Sequence, residues 1–386
     1  MKCFNVWLFN VLLVLSSLAG LYEAKGQESG THKPARFIVF PDIPEYKTLI
    51  CDFHQHTVFS DGDVWPAVRV REALADGLDA ISITDHLEYQ PHEEDIPNPD
   101  RNRIYQIALE AAKDKDLIVI SGSEITREMP PGHANAIFLS DANKLMGLDS
   151  IEVFREAKKQ GAFVIWNHPH WYDQSPNGTA VLTKMHRQML KEGLIQAIEV
   201  VNDHSYSDEA LKIALDNKLA IMGASDAHDL IDWQFNVQQG GHRPVTLVFA
   251  TEKTEEALKE ALQKGRTVVW FDNTLIGKKD FLVPLIQQSL YIQKTQVMES
   301  NPGKSTVVSV FIENKSDADY ILENQKDYSF YDHADIVTIK ANAVTMIQVK
   351  PLKELKTFNL RFKVLNALTA PSTHPLISLN VYTTQN

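Results

Sequence analysis

From Leu49 onward the chain repeats one pattern: a short β-branched apolar run, a polar tip, then a stretch with helical spacing. The apolar runs fall at 49–54, 78–84, 117–121, 134–139, 162–166, 195–201 and 219–223. Helical spacing occupies 64–75, 101–113, 150–160, 180–191 and 208–217. Strands alternating with helices at this interval predict parallel strands joined by crossovers, an α/β sheet or barrel. Segments 246–250 and 267–270, with a helix at 254–264 between them, complete the pattern as a closing unit. The polar tips lie at the C-terminal ends of the strands, where such folds place their chemistry. After about Gly277 the period changes. Segments 289–297, 306–313, 336–340, 345–350, 358–364 and 376–383 are strand-like and separated by turn residues, which predicts a small all-β sandwich.

The N-terminus has a different character. Lys2 precedes an apolar run from Val6 to Leu18, and Ser17-Leu18-Ala19 supplies the small residues of a cleavage site. These features predict a signal peptide over 1–24 and export to the periplasm or beyond, with no transmembrane segment in the mature chain. A polar, proline-bearing lead-in covers 25–48, the α/β unit 49–277 and the sandwich 284–386. A length of 386 residues accommodates that division, since a barrel takes about 250 residues.

Only two cysteines occur, and Cys3 would leave with the signal peptide. Cys51 then has no internal disulfide partner, and it is expected to point outward into a helix layer as an inert apolar residue. The net charge of -12 argues against a nucleic-acid surface. An anionic small-molecule substrate would therefore have to be drawn by a local positive centre.

Candidate chemistry begins at Asp52-Phe53-His54-Gln55-His56-Thr57, followed by Ser60-Asp61-Gly62. Strand alternation puts His54 and His56 on one face, followed by a carboxylate at a glycine turn. A lone His-x-His also suits hydrogen-bonded core or surface residues. Similar punctuation recurs at Thr84-Asp85-His86, Gly122-Ser123-Glu124, Gly132-His133, Asn167-His168-Pro169-His170 and Ser225-Asp226-Ala227-His228. Of 14 histidines, 11 fall between His54 and His242, which locates the chemistry in the α/β unit. Histidine and carboxylate donors suit divalent zinc, manganese or iron, and more than four of them imply more than one ion. No nucleophile elbow, phosphate-binding glycine loop or dinucleotide fingerprint occurs.

These motifs, in this order from about Leu49 to Trp270, resemble those of the polymerase and histidinol phosphatase (PHP) family of metallohydrolases. The resemblance implies a distorted seven-stranded (β/α) barrel, TIM-like, with two or three divalent ions. It implies hydrolysis of phosphate esters by a hydroxide bridging two of the ions, a phosphodiester being preferred here to a monoester. Some relatives cleave carbamate or amide bonds, which is one alternative. The other is a non-catalytic metal-binding scaffold whose Ig-like sandwich engages a glycan.

Carried over residue by residue, the pattern assigns one ion to His54, His56, Glu124 and Asp226. A second falls to Glu124, His133 and His168, and a third to Asp61, His86 and His228. His133 could instead cap Gly132 or contact substrate, and His168 is preferred to His170 because it directly ends an apolar run. Asp226 and His228 are also catalytic candidates. Arg243 and His170 are candidates for stabilising phosphoryl oxygens, ahead of His204 and His242. Asp85 would orient a ligand or merely pack. Trp171, Tyr172 and Trp233 would form an apolar wall or act as packing anchors, and Arg266 is expected to be structural.

Overall fold

The computed structural model describes residues 37–298, 306–325, 328–351 and 356–383. The segment read as a signal peptide lies outside these residues. Among the described residues, no helix is long and apolar enough to cross a membrane.

Two sheets build the first part of the molecule. Their strands are β1 (Lys47–Asp52), β2 (Ala80–Ser82), β3 (Ile118–Ile120), β4 (Gly122–Ile125), β5 (Ala134–Ile137), β6 (Phe163–Trp166), β7 (Ala197–Asn202), β8 (Ser205–Tyr206), β9 (Ala220–Ala224), β10 (Val245–Ala250), β11 (Thr267–Phe271) and β12 (Thr274–Gly277). The first sheet runs β12-β11-β10-β1-β2-β3, and the second runs β4-β5-β6-β7-β8 with β9 also paired to β7. Parallel pairing, as the pattern predicts, joins β1 to β2 to β3 and β6 to β7 to β9. The pairs β1–β10, β10–β11, β11–β12, β4–β5 and β5–β6 are antiparallel. The sheets are thus mixed where an all-parallel run was expected. One reason is local: Asp272 and Asn273 both take positive φ, 41° and 58°, which folds β11 directly back onto β12 as a two-residue hairpin. Beyond the regular strands, the two sheets touch at bridges Gln55–Ala227 and His86–Glu124.

Helices cover the sheets: α1 (Pro66–Asp76), α2 (Arg103–Ala111), α3 (Glu152–Lys159), α4 (Lys184–Glu192), α5 (Asp208–Asp216), a single turn at Ile231–Gln234, α6 (Glu255–Gln263) and α7 (Lys279–Ser289). Helix α1 shows how the sequence sets its limits. Pro66 opens it, Gly77 closes it at φ 72°, and Val70 and Ala73 lie on its buried face. They pack with Ile50, Ile81 and Leu247. Helix α7 was not legible because Pro284 lies inside it; Leu282, Leu285 and Ile286 bury the face that holds it.

Cys51 reverses its expected orientation. It is buried with Phe53, Ala80, Ile120, Ile165, Ala197 and Met222, which come from both sheets, while its neighbour Ile50 faces α1. Burial pushes its thiol pKa well up, so it is inert as expected.

The second part is a sandwich of β13 (Leu290–Met298), β14 (Val307–Asn314), β15 (Tyr320–Asn324), β16 (Tyr328–Phe330), β17 (Ile336–Ile339), β18 (Val344–Pro351), β19 (Thr357–Val364), β20 (Ala367–Leu368) and β21 (Leu376–Tyr382). Its sheets run β13-β14-β18-β16 and β17-β15-β19-β21. β21 alternates exposed and buried residues along its length, the two-residue period of a half-buried strand. β20 leaves the sandwich and pairs in parallel with β12, extending the first sheet. Asn366 ties this junction by donating to the carbonyls of Asn273 and Asp319, each at 2.7 Å.

Candidate metal centre

The polar tips converge where the two sheets meet. His54 and His56 follow β1, Glu124 lies in β4, His133 precedes β5, His168 follows β6, and Asp226 and His228 follow β9. Asp226 Oδ1 stands 3.1 Å from His54 Nε2 and 2.9 Å from His56 Nε2. Glu124 Oε2 lies 3.5 Å from both of those nitrogens and 2.9 Å from His86 Nδ1, while Oε1 lies 3.3 Å from His133 Nδ1 and 3.4 Å from His168 Nε2. Asp61 Oδ2 is 3.3 Å from His86 Nε2 and 3.4 Å from His228 Nε2. All nine residues singled out as ligands are brought together, His133 and His168 included.

The arrangement fits divalent cations on two counts. Donors about 2 Å from a shared ion lie about 3 Å from one another around it, the separation seen throughout the cluster. In addition, His54 Nε2, Glu124 Oε2, His133 Nδ1 and Asp226 Oδ1 are buried without a hydrogen-bond partner, and buried polar atoms seldom go unsatisfied. Four overlapping donor sets could hold ions: His56, Asp61, His86 and His228; His54, Glu124 and His168; His54, His56 and Asp226; and His86, Glu124 and His133.

Charge in the cluster is already divided for that purpose. Burial opposes ionisation of Glu124, but His86 and His54 hold its carboxyl well below the usual range. Asp226 is likewise buried and held well down by His54 and His56. Hydrogen bonds from His228 and His86 depress Asp61 against its partial burial. The carboxylates raise their partners in turn, His86 to about 11 and His228 to about 9, in both cases against the cost of burial. His54 is also pushed well up, chiefly by Asp226 and Glu199, whereas burial and the neighbouring His228 drive His56 down to about 3.

A supporting layer aims these groups. Glu199, buried on β7, accepts from His54 Nδ1 at 2.9 Å and from the His168 backbone N–H at 2.9 Å. Asn167 Nδ2 donates to Glu124 Oε1 at 2.7 Å. Asp85 accepts from the Thr57 N–H and hydroxyl and from the Ser60 hydroxyl, at 2.6 to 2.7 Å, so it holds the loop between His56 and Asp61. Arg69 is buried under the same loops and donates to the carbonyls of His56, Ala227, His228 and Asp229 at 2.7 to 2.9 Å. His168 and Asp226 take positive φ, 26° and 48°, conformations costly for residues with a Cβ and characteristic of functional sites.

Several expectations are corrected. Arg243 lies outside the site: it is fully buried, with Nε 2.9 Å from Asp76 and Nη1 3.2 Å from Asp52, and it clamps α1 to β1. His170, by contrast, does line the cavity. Its Nε2 bonds Ser205 Oγ at 2.8 Å, and burial lowers its pKa. His242 stacks on Trp270 at 3.5 Å and does not line the cavity. His204 bonds the Gln234 carbonyl, and Trp233 is 70% exposed, both outside the lining. Trp171 and Tyr172 do line the cavity, which measures about 340 Å³. Arg266 bonds the Phe249 carbonyl and Glu260 and stacks on Tyr46. Glu199 and Arg69 went unread because neither carries a motif: Glu199 sits inside the apolar run 195–201, and Arg69 occupies a helical position that spacing alone assigns to a surface or core face.

The comparison that decides the family is with a two-domain protein of Bacteroides vulgatus, described as containing a predicted PHP-like metal-dependent phosphoesterase. Its crystal structure superposes with a TM-score of 0.81 at 39% identity, over 90% of this chain and 98% of that one. The chain belongs to the PHP-like metal-dependent phosphoesterases. A second similarity is short: an uncharacterized protein of Methanocaldococcus jannaschii is 44% identical over 80 residues, and the match spans 21% of this chain and 34% of that protein. Residues 291–380 match a family model described as an Ig-like domain, which accounts for the sandwich beside the PHP unit.

Proposed function

We propose that this PHP protein is a metal-dependent hydrolase of phosphate esters that prefers diesters to monoesters. The reading rests on nine clustered donor side chains, all but the buried His54 lining one open cavity, because a purely structural ion is ordinarily enclosed by four. His54, His56, Glu124 and Asp226 would hold one ion, Glu124, His133 and His168 a second, and Asp61, His86 and His228 a third, with zinc, manganese or iron as the fitting metals. Such ions, when bound, acidify water and neutralise phosphoryl oxygens. The chain's own part is orientation. Glu199 fixes the His54 ring and the His168 backbone, Asn167 fixes Glu124, and Arg69 fixes the turns bearing His56 and His228. Asp226 and His228 border the cavity and stand beside the reacting group. The diester preference follows from the wall: it carries no Lys or Arg to meet the second charge of a monoester.

The two bridges between the sheets support a barrel closure of the distorted seven-stranded kind, and the N-terminal apolar run supports export. The test of function is hydrolysis of bis(p-nitrophenyl) phosphate and p-nitrophenyl phosphate by protein reconstituted with zinc, manganese or iron. Turnover that favours the diester and stops on chelation is expected. Loaded protein inactive on both esters would overturn the assignment.

A further inference from the structure

Outside the nine clustered donors, the cavity wall offers aromatic faces and hydrogen-bond acceptors. On the flank of His133 and His168, the Trp171 ring lies 5.7 and 5.2 Å from theirs. Tyr172 continues that flank, 72% exposed, with Gly178 so close that a Cβ there would meet its ring at 3.2 Å.

Between that flank and His228, where Ser205 meets His170 beside Trp171 and Gln234 joins Asp203 to His228, the polar groups are mostly committed. Gln234 accepts from the His228 N–H at 3.0 Å and donates to Asp203 Oδ1 at 2.8 Å. Asn202 donates its amide to Glu199 at 2.9 Å. Ser205 donates to the Asn202 carbonyl at 2.9 Å and meets His170 Nε2 at 2.8 Å. His204 stands 3.7 Å from Asp203, again on Oδ1. The second oxygen of Asp203 therefore meets no donor among the described residues, on a cavity-lining side chain that is 42% exposed.

We propose that the substrate substituent lying against Trp171, Tyr172 and Asp203 bears an ammonium group, making the substrate a zwitterionic phosphodiester. This rests on the phosphodiesterase reading above. An ammonium is attracted to an aromatic face and to a carboxylate alike. A second phosphate or a carboxylate at the same place would face Asp203 with no Lys or Arg in the lining to offset it.

The test compares wild type with Asp203→Asn. Asp203 takes φ 50°, a conformation Asn adopts as readily as Asp, so the exchange removes charge without straining the turn. In metal-loaded protein, the ratio of kcat/KM for p-nitrophenyl phosphorylcholine to that for bis(p-nitrophenyl) phosphate is expected to fall about tenfold. In chelated protein, choline is expected to quench tryptophan fluorescence, with an affinity about tenfold weaker in the variant. If both diesters are cleaved while the ratio and the choline affinity are the same in both proteins, the ammonium subsite is refuted and the phosphodiesterase reading stands. If neither diester is cleaved yet choline binds and the variant loses it, the phosphodiesterase reading fails and the subsite stands.

Discussion

At the scale of single residues, charge placement separates two kinds of buried group. Arg243 stands between Asp52 and Asp76 with all three side chains buried or nearly so. Removing it leaves two carboxylates without their cation. Arg243→Ala is expected to lower stability by about 3–5 kcal/mol in denaturant unfolding, while the folded fraction keeps its metal; loss of metal with unchanged stability would restore the catalytic role. The clustered histidines behave in the opposite way. His86 at about 11 and His228 at about 9 carry protons at pH 7 in the metal-free protein, and His54 is raised as well. Because these folded pKa values lie above the unfolded value of about 6.5, their contribution is complete below that pH and is lost as pH rises through 9 and then 11. Chelated protein is therefore expected to melt at lower temperature as pH is raised from 7 toward 9. Ion binding must displace the same protons, so titration calorimetry at pH 7 in buffers of different ionisation enthalpy should register proton release. Identical heats in those buffers would contradict the charge assignment.

At the scale of elements, legibility followed period. Strands β1, β2, β3, β5, β6, β7, β9, β10 and β11 and helices α1 to α6 fall, to within a residue or two at their ends, inside the apolar runs and helical spacings, because each buries one face or both. β4 escaped because Gly122-Ser123-Glu124 has no apolar run, although Glu124 is its functional centre. β12 and α7 escaped because a tight hairpin and an internal proline break the period. The ligand set was legible through motif order, whereas Glu199, Arg69 and the Asp203 flank depend on contacts between segments far apart in sequence. The Ser60-Asp61-Gly62 turn shows one such contact. A Cβ on Gly62 would lie 2.7 Å from the His56 carbonyl carbon and 2.8 Å from the Thr57 nitrogen. Gly62→Ala must therefore push the turn carrying Asp61 off His56 and His86. Fewer bound ions per protein are expected, with His54 and Glu124 still supporting the rest; metal analysis showing the wild-type stoichiometry would refute this close-packing account.

At the scale of the whole molecule, the Ig-like unit is joined to the PHP unit by structure as well as by sequence. β20 supplies the strand beyond β12, Asn366 bonds across the junction, and Leu275 and Leu282 share one apolar cluster with Ala318, Tyr320 and Ala367. Truncation after Gly277 would uncover that cluster and leave β12 as an open edge. The shortened protein is expected to accumulate in the insoluble fraction; a soluble fragment with the parent's melting temperature would show that the sandwich is only an appendage. The deeper claim is that side chains spread from His54 to His228 form one cation-binding cage. Elemental analysis of purified wild type, His56→Ala and Asp226→Ala tests it most directly. More than one equivalent of divalent metal in wild type, with a marked drop in both folded variants, is the predicted result. Wild type free of metal after incubation with zinc, manganese and iron, or variants retaining its full complement, would contradict it.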